Sequence, residues 1–266
     1  MTLVILAYAP VLANALFDLC IAVLIARVLL VRSKNRALGG LIAVVLGACL
    51  LATTLAMRGD DDTPLYQAIG QVLSLTHAGW MIELGLIASL LLATGQRAMM
   101  YLAAWLLVYA RAASGHAADQ GWLSGAVGVQ MLHLLAISLW AGSVIVFALR
   151  ASHNGTLSSD QVQRLSQLST IALCAILISG LLNFARIRQV TEVSAWSPYS
   201  TWFYAKLTCI VIAVALGAYN RWVTMPGVIL GQRRSIQRFV QILQAEALVL
   251  IVTIFLAAKH GATMPS

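Results

Sequence analysis

Charge is what this chain has least of. Of its 266 residues only 10% are Asp, Glu, Lys or Arg, while 61% are hydrophobic and the mean hydropathy is +0.88; soluble domains are roughly 25% charged and 45–50% apolar. A water-soluble globule is excluded, and the chain reads as a polytopic membrane protein with no soluble domain of its own. No charged n-region precedes the first apolar run and no clear cleavage site follows it, so a retained first helix is expected rather than a signal peptide. Cysteine is sparse too. Cys20, Cys49, Cys174 and Cys209 each stand alone in an apolar run, which excludes a CxxC metal or redox motif and a haem-attaching CxxCH and leaves small buried hydrophobes. GxSxG, HExxH, Walker-type and Rossmann signatures are missing, so no enzyme is expected. No internal repeat or low-complexity tract is present.

The formal net charge of +8 does not point to nucleic acid. The basic residues fall between apolar runs instead of forming a patch with interleaved aromatics. They report topology. Applying a window of about 20 residues for a spanning helix, eight runs emerge, at about 3–31, 37–57, 70–94, 97–114, 122–149, 164–187, 200–222 and 236–260. The expected fold is therefore all-α, a single transmembrane domain of eight helices over residues 1–266. Thr94-Gly95-Gln96-Arg97 reads as a tight turn between the third and fourth.

Lys and Arg are retained on the cytoplasmic side. One set of ends holds Arg27, Arg32, Lys34, Arg36, Arg97, Arg150, Arg164, Arg221, Arg233, Arg234 and Arg238; the other holds only Arg58, Arg111, Arg186, Arg188 and Lys259. Lys206 lies inside the seventh run and counts with neither. Both termini are thus expected outside. His116 shares that side with Asp60, Asp61, Asp62, Asp119 and Glu192.

The stretch Tyr109 to Gly142 organises the rest, because two histidines flank a short polar loop there. His116 is at the lip of the loop and His133 is well into the next apolar run, where an intramembrane ionisable group is a functional hypothesis by default. His77 enters the third run and His260 ends the eighth, so four of the five histidines fall in or near the outer half. His153, in SHNG, is a cytoplasmic loop residue. His77 and Met81 are four apart and share a helix face, an imidazole and thioether pair that suits Cu(I); Met81 as core filler is the plain alternative. Met131 is about 200° from His133 around the helix, whereas Trp140, seven residues on, shares its face.

Asp18, Glu83 and Glu246 lie within apolar runs, where each is costly unless neutral, paired or hydrated. Glu246, Thr253 and His260 recur every seven residues, a stripe that could carry protons or a cation, or glue helices together. Lys206 either snorkels or pairs with an outer carboxylate such as Glu192. Asn14 with Asp18, and Ser179 with Asn183, are i,i+4 polar pairs that read as helix contacts first and ion ligands second.

These residues resemble the CopD family of bacterial inner-membrane copper proteins. SGHAAD (Ser114 to Asp119) followed by HLLAISLWAGS (His133 to Ser143) is similar to that family's GHA loop and H-L-L-x4-W-x-G helix. LSTIALCAILISGLLN (Leu168 to Asn183) resembles its S-G-x2-N helix, and SPYSTWFYAKLTCIVIAVALGAYNR (Ser197 to Arg221) the helix that carries a lysine and ends in L-G-A-x-N-R. AEALVLIVTIFLA (Ala245 to Ala257) also fits. The likeness runs over about 70–260, and residues 1–66 rest on topology alone.

The resemblance implies eight helices, copper as the metal handled, and a periplasmic copper-binding partner of the CopC kind as donor, with copper moving towards the cytoplasm. Carried onto this sequence, it favours His116 and His133 as copper contacts, with Trp140, Asn183, Lys206, Asn220 and Glu246 as matched positions. THAGW (Thr76 to Trp80) falls at the family's T-x-x-G segment. The expected site is thus His116, His133, His77 and Met81 in the outer half, with Glu83 and Glu246 serving passage inward and protons balancing charge. Two other readings stay open: a b-type haem protein with His77 and His133 as axial ligands, and a copper-delivery factor that does not transport. Homo-oligomers are compatible with either.

Overall fold

A computed structural model of the chain describes residues 2–31, 35–59, 62–154, 158–190 and 197–263. Asp60, Asp61, Glu192, Arg32 and Lys34 lie outside the described residues, as do the side chains of His116 and Arg188. No strand occurs among the described residues. In chain order the helices are α1 (Thr2–Ala26, running on as a π-turn, Arg27–Val31), α2 (Arg36–Arg58), α3 (Leu65–Leu75), α4 (His77–Ala93) and α5 (Arg97–Ala113). A 3-10 turn (His116–Gln120) leads to α6 (Gly125–Asn154), α7 (Ser159–Val190) and α8 (Pro198–Tyr219). A second π-turn (Asn220–Thr224), the short α9 (Met225–Ile229) and α10 (Arg233–Gly261) complete the chain.

Six of these helices are long and apolar enough to cross a membrane, and the bent pair α3 with α4 raises the number to seven. The protein is a multi-pass helical membrane protein. The fourth run, α5, is 17 residues, about 26 Å at 1.5 Å per residue, short of a hydrocarbon core of about 30 Å. Length and apolarity thus give six or seven spans where the sequence reading has eight.

The third run is not one helix from 70 to 94. It breaks at Thr76, and α3 and α4 meet at 88°. Thr76 adopts an extended backbone (φ −116°, ψ 145°), and its hydroxyl accepts from the Gly79 amide at 3.0 Å while donating to the Val72 carbonyl at 2.6 Å. It therefore caps the start of α4. Gly79 then packs on the end of α3 so tightly that a Cβ there would lie 2.0 Å from the Val72 carbonyl oxygen. The T-x-x-G segment is a corner: the threonine stops one helix and the glycine lets the next cross it. The turn from α4 to α5 is tight as expected, with Gly95 at φ +70°, a conformation glycine adopts without strain.

Within lipid, helices associate through close packing of small side chains. Here α1 and α6 form the spine. Gly142 of α6 lies against Ala22 of α1, where a Cβ would come within 1.9 Å of the Ala22 carbonyl oxygen. On one side of the spine α2, α4 and α5 bury Ile42, Leu46, Leu92, Leu107 and Val108 against Phe17, Ile21 and Leu24 of α1. On the other, α7 and α10 bury Val162, Leu165, Ile176, Leu243 and Leu250 against Ala136, Val144 and Ala148 of α6. α8 packs chiefly on α10, and α7 and α8 are not packed against each other along their lengths.

The first half also holds a half-buried ion pair. Arg111 of α5 grips both oxygens of Asp18 of α1, Nε to Oδ1 at 2.6 Å and Nη2 to Oδ2 at 2.9 Å. Arg111 is therefore no loop charge, and the sparse set of outer cations loses one member because its partner lies 93 positions away. Asn14 does not join Asp18; its amide donates to the Pro10 carbonyl at 2.9 Å.

Candidate functional site

Two ends of the bundle need names. The loop end carries the 116–120 turn, and the basic end carries Arg36, Arg97 and Arg233. α6, with its N-terminus at the loop end, presents different residues to the two halves of the protein. Met131 and Leu134 turn towards the cluster around Met81, Ala113, Ala117 and Val127. His133 turns the other way, onto α7.

His133 rests on Gly180, where a Cβ would meet its Cε1 at 3.4 Å, and its Nδ1 is 2.9 Å from the Ser179 hydroxyl. Ser179 Oγ is also 2.6 Å from the Ala175 carbonyl. A carbonyl only accepts, so the hydroxyl proton is committed there and the hydroxyl accepts from His133. The chain Nδ1–H···Oγ–H···O=C fixes the tautomer, as a hydrogen bond to the other ring nitrogen does for metal-binding histidines. Nε2 is left as the lone-pair nitrogen, and the ring also has a hydrogen-bond contact with the Ile176 carbonyl. The S-G-x2-N sequence of α7 is thereby explained: Ser179 orients the imidazole, Gly180 makes room for it, and Asn183 donates to Gln130 Oε1 at 3.0 Å, one turn from His133 on α6.

Lys206 of α8 and His260 of α10 face the same region. The Lys206 ammonium is 5.3 Å from the centre of the Phe203 ring and in electrostatic reach of both His133 and His260. His260 lies against Tyr199 with ring centres 4.1 Å apart, and its Nδ1 is buried without a partner among the described residues. Gln130 and His260 are the members that sequence reasoning left out of the site. The heptad stripe on α10 pointed to His260; nothing pointed to Gln130.

His77 and Met81 belong to the other half. Nε2 of His77 is 2.8 Å from the Ala113 carbonyl at the end of α5, so that nitrogen carries the proton. Nδ1 is buried with no partner among the described residues. The ring stacks on Trp122 at 4.9 Å and meets Trp80 edge-on at 6.5 Å. Met81 is buried against Ala113 and Ala117, on either side of His116, so the 116–120 turn sits over the His77 and Met81 pair. The structure does not bring His77 and His133 together: α6 stands between them. Among the described residues no three His, Cys, Asp or Glu side chains converge on one point. Glu83 is exposed on the outside of α4, apart from Glu246.

Deeper in the second half, Trp140 donates from Nε1 to Glu246 Oε1 at 3.2 Å. Trp140 is seven residues beyond His133, about 10 Å along α6. Gly217 of α8 faces this carboxyl, and a Cβ there would come within 3.1 Å of Oε1. Asn220 donates to the Phe239 carbonyl at 3.3 Å and accepts from Thr224 at 2.9 Å, tying the π-turn to α10. Arg221 reaches across to α7, to the Thr170 hydroxyl and the Ser166 carbonyl. The L-G-A-x-N-R sequence thus places a space, a tie and a bridge in succession. A cavity of about 410 Å³ runs from Glu246 to Arg221.

Fold and site together define a multi-pass membrane protein with imidazole, amine and carboxyl groups buried between helices α6, α7, α8 and α10. Residues 160–259 match the family model for copper resistance protein D (CopD), a likeness that covers less than half of the chain. The match spans α7 to nearly the end of α10, and so includes Ser179, Asn183, Lys206, Asn220 and Glu246. His77, Met81, His116 and His133 precede it. No curated protein and no solved structure matches the chain.

Proposed function

We propose that the protein is a copper permease of the bacterial inner membrane, with its loop end and both termini in the periplasm. α4 and α5, packed as a hairpin, complete eight spans. Copper arrives from a periplasmic copper-binding protein similar to CopC at the turn that begins with His116, and passes to His133. The observation that carries this reading is the hydrogen-bond chain from His133 through Ser179 to Ala175, which makes Nε2 the lone-pair nitrogen of an imidazole set in an apolar helix bundle. Imidazole and thioether donors suit Cu(I). His77 and Met81 make a separate contact under the 116–120 turn, because Nδ1 of His77 is held as an acceptor by the bond from Nε2 to Ala113. Copper therefore meets two stations, one on each side of α6, in place of a single four-ligand site. Trp140, Asn183 and Lys206 position and shield the second.

Because His77 contacts α5 and His133 contacts α7, we favour this reading over a b-type haem held by the two.

The test measures Cu(I) affinity of the purified protein by chelator competition, and copper flux into proteoliposomes. His133→Ala is expected to weaken binding and abolish flux. Unchanged binding and flux in His133→Ala would overturn the reading. Binding without flux in the wild type would identify a delivery factor instead.

A further inference from the structure

Glu246 lies near the middle of α10, thirteen residues from Arg233 and fifteen from Gly261, or about 20 Å from either end of the helix. It is only 3% exposed. A charged carboxylate at that depth is costly, so a packing role alone would be served better by an apolar side chain of similar size. Oε1 accepts from Trp140. Oε2 takes no protein hydrogen bond among the described residues, and the carboxyl lines a cavity of about 410 Å³. At a liquid volume of about 30 Å³ per water, that is room for roughly fourteen waters.

The lining changes along its length. Beside Glu246 it is Trp140, Val214 and Gly217; towards the basic end it becomes Ser166, Ser169, Thr170, Asn220 and Arg221. The polar end lies towards the basic end of the bundle, and the carboxyl lies deeper, near the middle of α10. Among the described residues Arg221 is the only other ionisable group lining the cavity, and Thr170 and Ser166 hold it. α6 and α8 present Trp140 and Gly217 to the carboxyl, and α7 presents no ionisable side chain to the cavity. α1, which also packs on α10, carries Asp18 and Arg27, engaged with Arg111 and Asn35 respectively.

We propose that Glu246 is a proton-exchange site, loaded and unloaded by water through this cavity from the basic end, with Arg221 bridging its mouth. The step is a transfer between hydronium and carboxylate, giving water and the neutral acid, with no change of oxidation state. It deepens the copper-permease reading by naming the coupling ion, and it rests on that reading only for the coupling.

The experiment is infrared spectroscopy of the reconstituted protein during pH change and during transfer to D₂O. Glu246→Gln is the comparison, because glutamine keeps an acceptor for Trp140. In the difference between wild type and variant, the wild type is expected to show an acid C=O band that disappears as pH rises and shifts promptly in D₂O. Arg221→Ala is expected to keep the band and exchange several-fold faster. A band that neither titrates nor exchanges would overturn the proposal, as would no difference between wild type and Glu246→Gln. Proton movement accompanying copper flux is then followed with a pH dye inside proteoliposomes, and Glu246→Gln is expected to abolish it. If the infrared band behaves as expected but wild-type copper flux moves no protons, the exchange site stands and the coupling is overturned. If copper binding fails in the wild type while the band titrates, the copper reading falls and the proton site remains.

Discussion

Trp140 of α6 and Glu246 of α10, 106 positions apart, are joined by a single hydrogen bond of 3.2 Å from indole to carboxyl. Trp140→Phe keeps the ring and removes the donor, leaving a buried carboxyl oxygen unpaired. Such a loss costs about 1–3 kcal/mol. A lowered unfolding midpoint in detergent, with Glu246→Gln less affected, is the expected result.

In the copper reading proposed above, Ser179 acts only through its hydrogen bond to His133. Ser179→Ala frees the imidazole to rotate and to change tautomer, and loss of such a supporting hydrogen bond typically weakens metal affinity by about 10–100-fold. Chelator competition should show that loss with helicity unchanged by circular dichroism. Wild-type affinity in the variant would mean that Ser179 does not orient a ligand.

The Asp18 and Arg111 pair predicts non-additivity. Asp18→Leu or Arg111→Met alone strands one charge among apolar helices, at a cost of about 3–5 kcal/mol. The double variant strands none and should regain most of the lost stability. Unfolding midpoints of the four proteins form the cycle that measures the coupling.

Gly142 sits where α6 meets the backbone of α1. Gly142→Ala would set a methyl 1.9 Å from the Ala22 carbonyl oxygen, and since that oxygen is main chain, the helices themselves must part. Overpacking of this kind costs about 1–3 kcal/mol. Gly128→Ala, on the same helix with nothing within 4 Å, is the control and should be neutral or slightly stabilising.

Hydropathy alone made the helical runs legible, because the length of an apolar segment is a local property. The corner at Thr76 was not, since threonine, histidine and glycine all fit an apolar window and the cap shows only in three dimensions. Arg111 read as a loop charge because its partner is on a helix three runs earlier. The motifs around Ser179, Gly180 and Asn183 were visible, as was His133, but their contact was not: one sequence does not contain the register between α6 and α7. For the same reason His77 and His133 looked like candidates for one centre until α6 came between them.

The ion pair between α1 and α5 also bears on how the chain enters the membrane. α1 carries Asp18 near its middle, and the guanidinium that neutralises it is synthesised 93 residues later. Until α5 has entered, the first helix is an incomplete unit with an unpaired acid in it, and it reaches its final depth only in company. Assembly of the first half is accordingly a matter of waiting: the opening helix is made first and settled only when the fifth arrives.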